Sequence, residues 1–218
     1  MINSVLSIFL KDALLEARRK TSFAGILVYV IGTVYVCYLS FRLIIDVPTW
    51  NALYWIILLF AAVNAVARNF LVETRGIQLY NYLIFSPSSF IISRILFNVI
   101  YLFSIAMVTY LFYALFLGNL VQDIPMFLIS AFLGTACLSS ILTLMSAIAS
   151  SAGGNPSLVA ILGFPVILPT LLTVIRSSKN AIDGLAWSVN MQYLIVLGTL
   201  FILSLVLAIL LFPYLWKD

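Results

Sequence analysis

The sequence contains no histidine, and only 11 basic and 7 acidic residues occur among its 218. Without imidazole the chain lacks the commonest protein ligand for metals and the usual general base of enzymes. It also lacks the GxxxxGK[ST] and GxGxxG loops that cradle nucleotide phosphates. We therefore expect a chain that is not an enzyme and binds no cofactor or metal. Any ATP that powers it is expected to bind a partner subunit.

Cysteine is also scarce. Cys37 and Cys137 stand alone in separate apolar runs, with no CxxC pair. Isolated cysteines in apolar helices are typically buried structural thiols, so we predict no redox or metal role for them. The net charge of +4 is explained by membrane topology and by attraction to anionic lipid, which sets nucleic acid aside as a partner.

Hydrophobic residues make up 64% of the chain, and the charges fall mostly between long apolar runs. A bilayer core about 30 Å thick requires roughly 20 helical residues to cross it. We predict an all-α, polytopic membrane protein with a single transmembrane domain over residues 1–218. Its six predicted spans are Ala24–Ile45, Trp50–Ala67, Phe90–Leu117, Ile124–Ser150, Leu158–Ile175 and Tyr193–Tyr214.

The N-terminal stretch has its apolar residues before its basic ones, which is the reverse of a removable signal peptide. At helical spacing one side of residues 2–19 is apolar and another is polar, a pattern typical of a helix lying in the membrane interface. A frayed polar leader is the alternative. The predicted apolar side consists of Ile2, Val5, Leu6, Phe9, Leu10, Ala13 and Ala17.

The basic residues near span ends predict the orientation, because such residues prefer the cytoplasm. Six spans with both termini inside place eight basic residues in the cytoplasm and three outside. The cytoplasmic set is Lys11, Arg18, Arg19, Lys20, Arg68, Arg75, Arg94 and Lys217, and the outer set is Arg42, Arg176 and Lys179. Trp50, Trp187 and Trp216 fall near span ends, where indole rings favour the membrane interface.

Polar residues are few inside the spans. The acidic residues fall in connections or cytoplasmic segments, which disfavours an ion-coupled carrier, because a coupling ion needs a polar partner near the bilayer centre. Asn64 and Asn98 are predicted to form hydrogen bonds between helices. The fourth span is rich in small residues, from Ser130 to Ala147, which favours close helix packing over a substrate path.

The second half of the chain contains two regions with helix-breaking residues. Gly153, Gly154 and Pro156 predict a tight cytoplasmic turn after the fourth span. Pro165 and Pro169 lie four residues apart in the fifth span and predict a kink, or a split around Gly163. These three residues form either a structural kink or a gate.

The connection between the second and third spans, Arg68 to Arg94, is too long for a turn. Ile77, Tyr80 and Ile84, with Leu83, form an apolar stripe at helical spacing. Ser86-Pro87 is predicted to end the helix before the third span begins. The pattern predicts a cytoplasmic amphipathic helix that docks to a soluble partner or rests on lipid.

This segment resembles the coupling helix of ABC-2-type permeases, which fits a groove in the ATPase subunit. The shared pattern is Glu73-x-x-Gly76, then Leu83-x-x-Ser86-Pro87, with Ile91, Ile92 and Arg94 following. Within that class, the chain length, the leader Leu15-Glu16-x-Arg18 and the run from Asn155 to Pro169 are similar to the haem exporter protein B (CcmB) family of cytochrome c maturation.

The resemblance implies a homodimeric permease in the bacterial inner membrane that pairs with an ABC ATPase subunit and further haem-handling membrane subunits. Haem is the implied substrate, or is released with its chaperone. An ion-coupled carrier or channel and a non-transporting membrane scaffold remain the alternatives. The coupling helix is assigned to residues 73–85, and the coupling residues are Glu73, Arg75, Gly76, Ile77, Tyr80, Leu83, Ile84, Ser86 and Pro87.

Overall fold

A computed structural model of the chain describes residues 2–18, 20–41, 45–71, 85–151 and 156–215. These residues form helices with no strand among them, and six of the helices are long and apolar enough to cross a membrane. The prediction of an all-α fold with six membrane-spanning segments is confirmed. The helices are α1 (Ile2–Arg18), α2 (Lys20–Phe41), α3 (Val47–Leu71), α4 (Pro87–Phe116), α5 (Ile124–Ser151), α6 (Pro156–Ile182) and α7 (Trp187–Leu215).

The helix of the fifth span is longer than predicted. Helix α6 continues seven residues past Ile175 and includes Arg176 and Lys179. Helix-breaking geometry first occurs at Gly184, whose φ of 66° favours glycine. The two charged residues therefore extend the helix without interrupting it, and their placement on the outer side of the membrane remains a prediction.

Helix α5 lies at the centre of the bundle and packs against α3, α4, α6 and α7. Its small residues permit this, as Gly134 shows. A β-carbon at Gly134 would lie 2.5 Å from Val174 Cγ2 and 2.7 Å from Trp55 Cη2, so α3 and α6 both approach its backbone closely. The predicted close packing of the small-residue span is confirmed.

The two ends of the bundle are distinct. At one end Ile8 of α1, Phe90 of α4 and Phe212 of α7 belong to one buried apolar cluster. At the other end Tyr38 of α2 packs on Phe116 of α4, with ring centroids 5.8 Å apart. Helix α1 and the end of α7 therefore share one end of the bundle, as an even number of spans requires. That this end faces the cytoplasm remains a prediction.

Candidate functional site

The predicted coupling segment falls almost wholly outside the described residues. This applies to Glu73, Arg75, Gly76, Ile77, Tyr80, Leu83 and Ile84. Ser86 and Pro87 are described, and they form the junction with α4. Ser86 is extended, with φ −74° and ψ 144°, and Pro87 is the first helical residue. The predicted helix boundary at Ser86-Pro87 therefore coincides with the start of α4, where proline costs no hydrogen bond.

Helix α1 is attached to the first turns of α4 by polar contacts. The Ser93 hydroxyl donates a hydrogen bond to the Val5 carbonyl oxygen at 3.0 Å. At the next residue of α4, Arg94 Nε lies 3.3 Å from Asp12 Oδ2. Both side chains are almost fully buried, with 7% of Arg94 and 3% of Asp12 exposed. The pair joins the N-terminal helix to a membrane-spanning helix within the protein.

The ion pair was not predicted from the sequence. The assignment of Asp12 to a cytoplasmic segment remains a prediction, and the structure adds that its carboxylate lies against α4. Burial raises the pKa of Asp12 above its usual value, although Arg94 and Lys11 act in the opposite direction. Desolvation therefore outweighs the attraction of both cations, and the charged carboxylate is held at a free-energy cost.

A second acidic residue of α1 also contacts α4. The Tyr101 hydroxyl donates a hydrogen bond to Glu16 Oε1 at 3.0 Å. Tyr101 stacks on Phe97, and Phe97 packs edge-on against Phe9 of α1 at 6.1 Å between centroids. Helix α1 thus follows α4 from Ser93 to Tyr101, and both helices run in the same direction.

The first turns of α4 also connect to α7 through aromatic rings. The Arg94 guanidinium carbon lies 5.2 Å from the centroid of the Phe90 ring, within the range of a cation–π contact. On α7, Phe212 stacks on Phe90 with centroids 6.0 Å apart. Residues within two turns of Pro87 therefore contact both α1 and the end of α7.

Helix α1 has a second face that is exposed. Leu6, Leu10 and Leu14 are each more than half exposed and lie four residues apart, whereas Ile8 is fully buried. The predicted helix is confirmed over Ile2–Arg18. The predicted apolar side is divided, because its leucines at positions 6 and 10 face outward while the Phe9 ring packs against α4. Placement of this outward face in the membrane interface remains a prediction.

The opposite end of the bundle contains a buried polar network that the sequence did not reveal. Asn51 of α3 donates a hydrogen bond to the Ile175 carbonyl oxygen at 2.7 Å and accepts one from the Ser178 hydroxyl at 2.8 Å. Trp55 Nε1 donates to the same hydroxyl. This network joins α3 to the last turns of α6.

Trp50, one of the three tryptophans predicted to lie near the membrane interface, faces the protein interior and not lipid. It is fully buried and packs against Tyr113 and Phe127, at 5.0 and 6.1 Å between ring centroids. Trp187 begins α7 and is 44% exposed, as an interfacial residue would be. Trp216 lies outside the described residues.

Of the two alternatives for the fifth span, the split is wrong, because α6 is continuous through Gly163, Pro165 and Pro169, and the kink remains a prediction. Both prolines face outward, while Gly163 faces inward against Met145 of α5. The Thr173 hydroxyl donates to the Pro169 carbonyl oxygen at 2.8 Å, a common bond of threonine in apolar helices. A role for these residues as a gate remains a prediction.

The two amides singled out from the sequence differ in role. Asn98 of α4 donates to Thr143 Oγ1 of α5 at 2.8 Å, so the predicted bond between helices is confirmed there. Asn64 is exposed and donates to the Phe60 carbonyl oxygen of its own helix, so the prediction is wrong for this residue. Both cysteines are buried and free of disulfides, as expected.

Within the described residues, no three histidine, cysteine, aspartate or glutamate side chains group together as metal ligands would. Comparisons of the chain with protein-family models, curated proteins and solved structures find no significant match. The functional argument therefore depends on the residues themselves. The contacts of α1 with the first turns of α4 are the candidate site.

Sequence reasoning missed the link between Asp12 and Arg94 although one signal for it was present. Arg94 is the eighth residue of α4, which begins at Pro87 and carries no other charged residue. A charge next to a long apolar run needs a partner of opposite sign. Asp12, on the predicted amphipathic helix, was an available partner.

Proposed function

We propose that the chain is the membrane-spanning permease subunit of an ATP-driven ABC transporter that handles haem in cytochrome c maturation. ATP is bound and hydrolysed by a partner subunit, because this sequence has no phosphate-binding loop. Six apolar helices supply the membrane domain. The absence of histidine suits a subunit that moves or releases haem rather than one that ligates it.

One observation carries the proposal. The segment that resembles a coupling helix leads directly into α4, whose first two turns contact α1 and α7 while the rest of α4 packs on the central helix α5. Helix α4 has 30 residues, a length of about 45 Å. A displacement of the segment by a soluble partner would therefore act on a rigid helix that crosses the bundle.

The resemblance supports the finer assignments. These are a homodimer in the bacterial inner membrane, both termini in the cytoplasm, and further haem-handling membrane subunits as partners. The eight-to-three distribution of basic residues supports the orientation independently of the resemblance. The outward-facing leucines of α1 suit contact with membrane lipid beside the ATPase.

Co-purification tests the proposal. The tagged full-length chain, isolated in mild detergent from its native membranes, is expected to bring down an ABC ATPase. ATP turnover by that ATPase is expected to fall when the chain is omitted from reconstituted vesicles. Isolation without any ATPase would contradict the proposal. Association with an ATPase whose turnover does not depend on the chain would instead favour the scaffold.

The ion-coupled carrier gains one observation from the structure. Asp12 and Glu16 contact α4, so carboxylates are closer to a membrane span than the sequence suggested. In vesicles that lack an ATPase, a carrier of this kind would transport its substrate when a proton gradient is imposed across the membrane. Substrate movement in those vesicles, without ATP, would favour the carrier over the permease.

A further inference from the structure

The exposed side of α6 is charged at one end only, the end that contains the turn to α7. Leu168, Leu172, Arg176 and Lys179 are all exposed, and they follow one another at spacings of four, four and three residues. At that spacing they form one row along the helix, which we call the α6 stripe. Two leucines lie in the span, and two cations continue the stripe toward the helix end.

A hydrogen bond to α5 gives the level of Arg176 in the bundle. The hydroxyl oxygens of Ser177, the next residue of α6, and Ser130 of α5 lie 2.7 Å apart. Ser130 is six residues, or about 9 Å, along α5 from its first residue Ile124. The Arg176 backbone therefore lies below the end of the bundle, although its side chain is exposed.

Trp187 lies at a level farther out. Asn180 of α6 donates a hydrogen bond to Asn190 Oδ1 of α7 at 3.2 Å, so these two residues share a level. Arg176 precedes Asn180 by four residues, and the exposed Trp187 precedes Asn190 by three on the returning helix. Trp187 is therefore about 10 Å nearer the bundle end than Arg176. Because indole rings favour the membrane interface, the Arg176 backbone lies on the lipid side of that interface.

The positive charges of the α6 stripe have no acidic partner in the described part of the protein. Neither Arg176 nor Lys179 lies within ion-pair distance of a described carboxylate, although Asp183 follows Lys179 by one helical turn. A cation on a lipid-facing surface is costly without a negative partner. Long basic side chains reduce this cost by extending their charged groups to the membrane surface, where the lipid phosphates lie.

An anionic phospholipid has the two features that the α6 stripe requires. Its phosphate accepts two hydrogen bonds from a guanidinium group at once, and an ammonium group supplies a second positive charge. Its acyl chains extend from the phosphate toward the bilayer centre, which is the direction from Arg176 to Leu172 and Leu168. A soluble anion would leave both leucines uncovered, and a zwitterionic headgroup would bring a positive charge of its own.

We propose that the α6 stripe binds one anionic phospholipid, with its phosphate at Arg176 and Lys179 and an acyl chain along Leu172 and Leu168. The inference goes beyond the proposed function, because it requires neither an ATPase nor haem. Binding at this site makes the covering of α6 depend on the anionic lipid content of the membrane.

Photoreactive lipids test the site in the full-length chain, reconstituted in phosphatidylcholine vesicles. Two probes carry the same photoreactive acyl chain, one on a phosphatidylglycerol headgroup and one on a phosphatidylcholine headgroup. Cross-linked peptides are quantified for α6 and, as an internal reference, for α1. The variant is Arg176→Gln with Lys179→Gln. The matched control is Asp183→Asn, which changes an exposed charge near the same end of α6 without removing a cation.

The phosphatidylglycerol probe is expected to label α6 of the unmodified chain more than the phosphatidylcholine probe does. This excess is expected to fall at least about fivefold in the double variant, since each basic residue near a membrane surface strengthens the attraction of anionic lipid by roughly that factor. Asp183→Asn is expected to keep the excess. Equal labelling of α6 by both probes, or an excess that survives in the double variant, would overturn the site.

Soluble glycerol phosphate separates a lipid site from a site for any phosphate. It carries the anionic group without acyl chains, so at a concentration equal to that of the probe it is expected to leave the labelling of α6 unchanged. Loss of labelling under these conditions would show that the anion alone determines binding, and it would overturn the role of the two leucines in the α6 stripe.

Discussion

The Trp55 indole N–H donates a hydrogen bond to Ser178 Oγ at 2.9 Å, joining α3 to the last turns of α6. Both residues are fully buried, and Ser178 also bonds to Asn51. Position 178 lies between Arg176 and Lys179, which the sequence places outside, so it would be a natural choice for labelling from outside the cell. The network instead makes it part of the protein interior, so a topology test needs another position.

Ala186 provides that position, because it is exposed in the turn between α6 and α7. With both termini in the cytoplasm, this turn faces outside. A cysteine at Ala186, in a background without native cysteine, is expected to react with an impermeant maleimide in intact cells. Ser178→Cys is the buried control and is expected to stay unlabelled. Labelling of Ala186→Cys only after permeabilisation would contradict the predicted orientation.

Gly134→Ala is expected to destabilise the bundle by about 1–3 kcal/mol, because the added methyl group overlaps the side chains of Val174 and Trp55. Thermal unfolding in detergent measures the effect. Gly198→Ala is the control, since its added methyl group would meet no atom within 4 Å. Adding Val174→Ala to Gly134→Ala removes one overlapping methyl group and is expected to recover part of the loss. Equal unfolding temperatures for both glycine variants would contradict the close packing at Gly134.

The two amides provide a matched pair. Asn98→Ala removes a bond between α4 and α5 and is expected to cost about 0.6–2 kcal/mol. Asn64→Ala removes only a bond within its own helix and is expected to change stability by less than about 0.5 kcal/mol. Unfolding midpoints in denaturant, measured in the same detergent, compare them. An equal or larger loss of stability for Asn64→Ala would contradict the assignment of Asn98 as the amide that joins two helices.

Acid is expected to strengthen the packing of α1 against α4. Burial raises the pKa of Asp12 above its usual value of 3.8 in the folded protein, so between those two pKa values the folded form binds more protons than a form in which α1 is detached. Lowering the pH from about 7 to about 4 therefore stabilises the contact. Thermal unfolding midpoints of the unmodified chain are compared at each pH with those of Asp12→Asn, which lacks this titration, in the same detergent. The midpoint of the unmodified chain is expected to rise relative to that of Asp12→Asn as the pH falls, and a relative midpoint that falls with acid would show that the ion pair itself holds α1 to α4.

The spans could be predicted from the sequence because hydropathy depends on length and composition alone. The hydrogen bond of Asn98 to another helix could be predicted, although its partner could not, since an amide inside an apolar helix needs a partner. The partners of Asp12 and Ser178 could not, because they depend on which helices become neighbours. Trp50 shows the same limit: its sequence position indicates a span end, but packing decides whether its ring faces lipid or the core.

Docking of the ATPase on the segment before α4 is the central claim, and capture of the ATPase by Tyr80→Asp tests it most directly. An aspartate in an apolar groove would lose its hydration without a partner, at a cost of about 1–3 kcal/mol or more. Capture is therefore expected to fall by roughly tenfold or beyond, with the variant still inserted in the membrane. Tyr214→Asp is the control, since Tyr214 is 75% exposed near the same end of the bundle. This variant is expected to capture about as much ATPase as the unmodified chain does. Undiminished capture by Tyr80→Asp, at matched amounts in the membrane, would contradict docking at this segment.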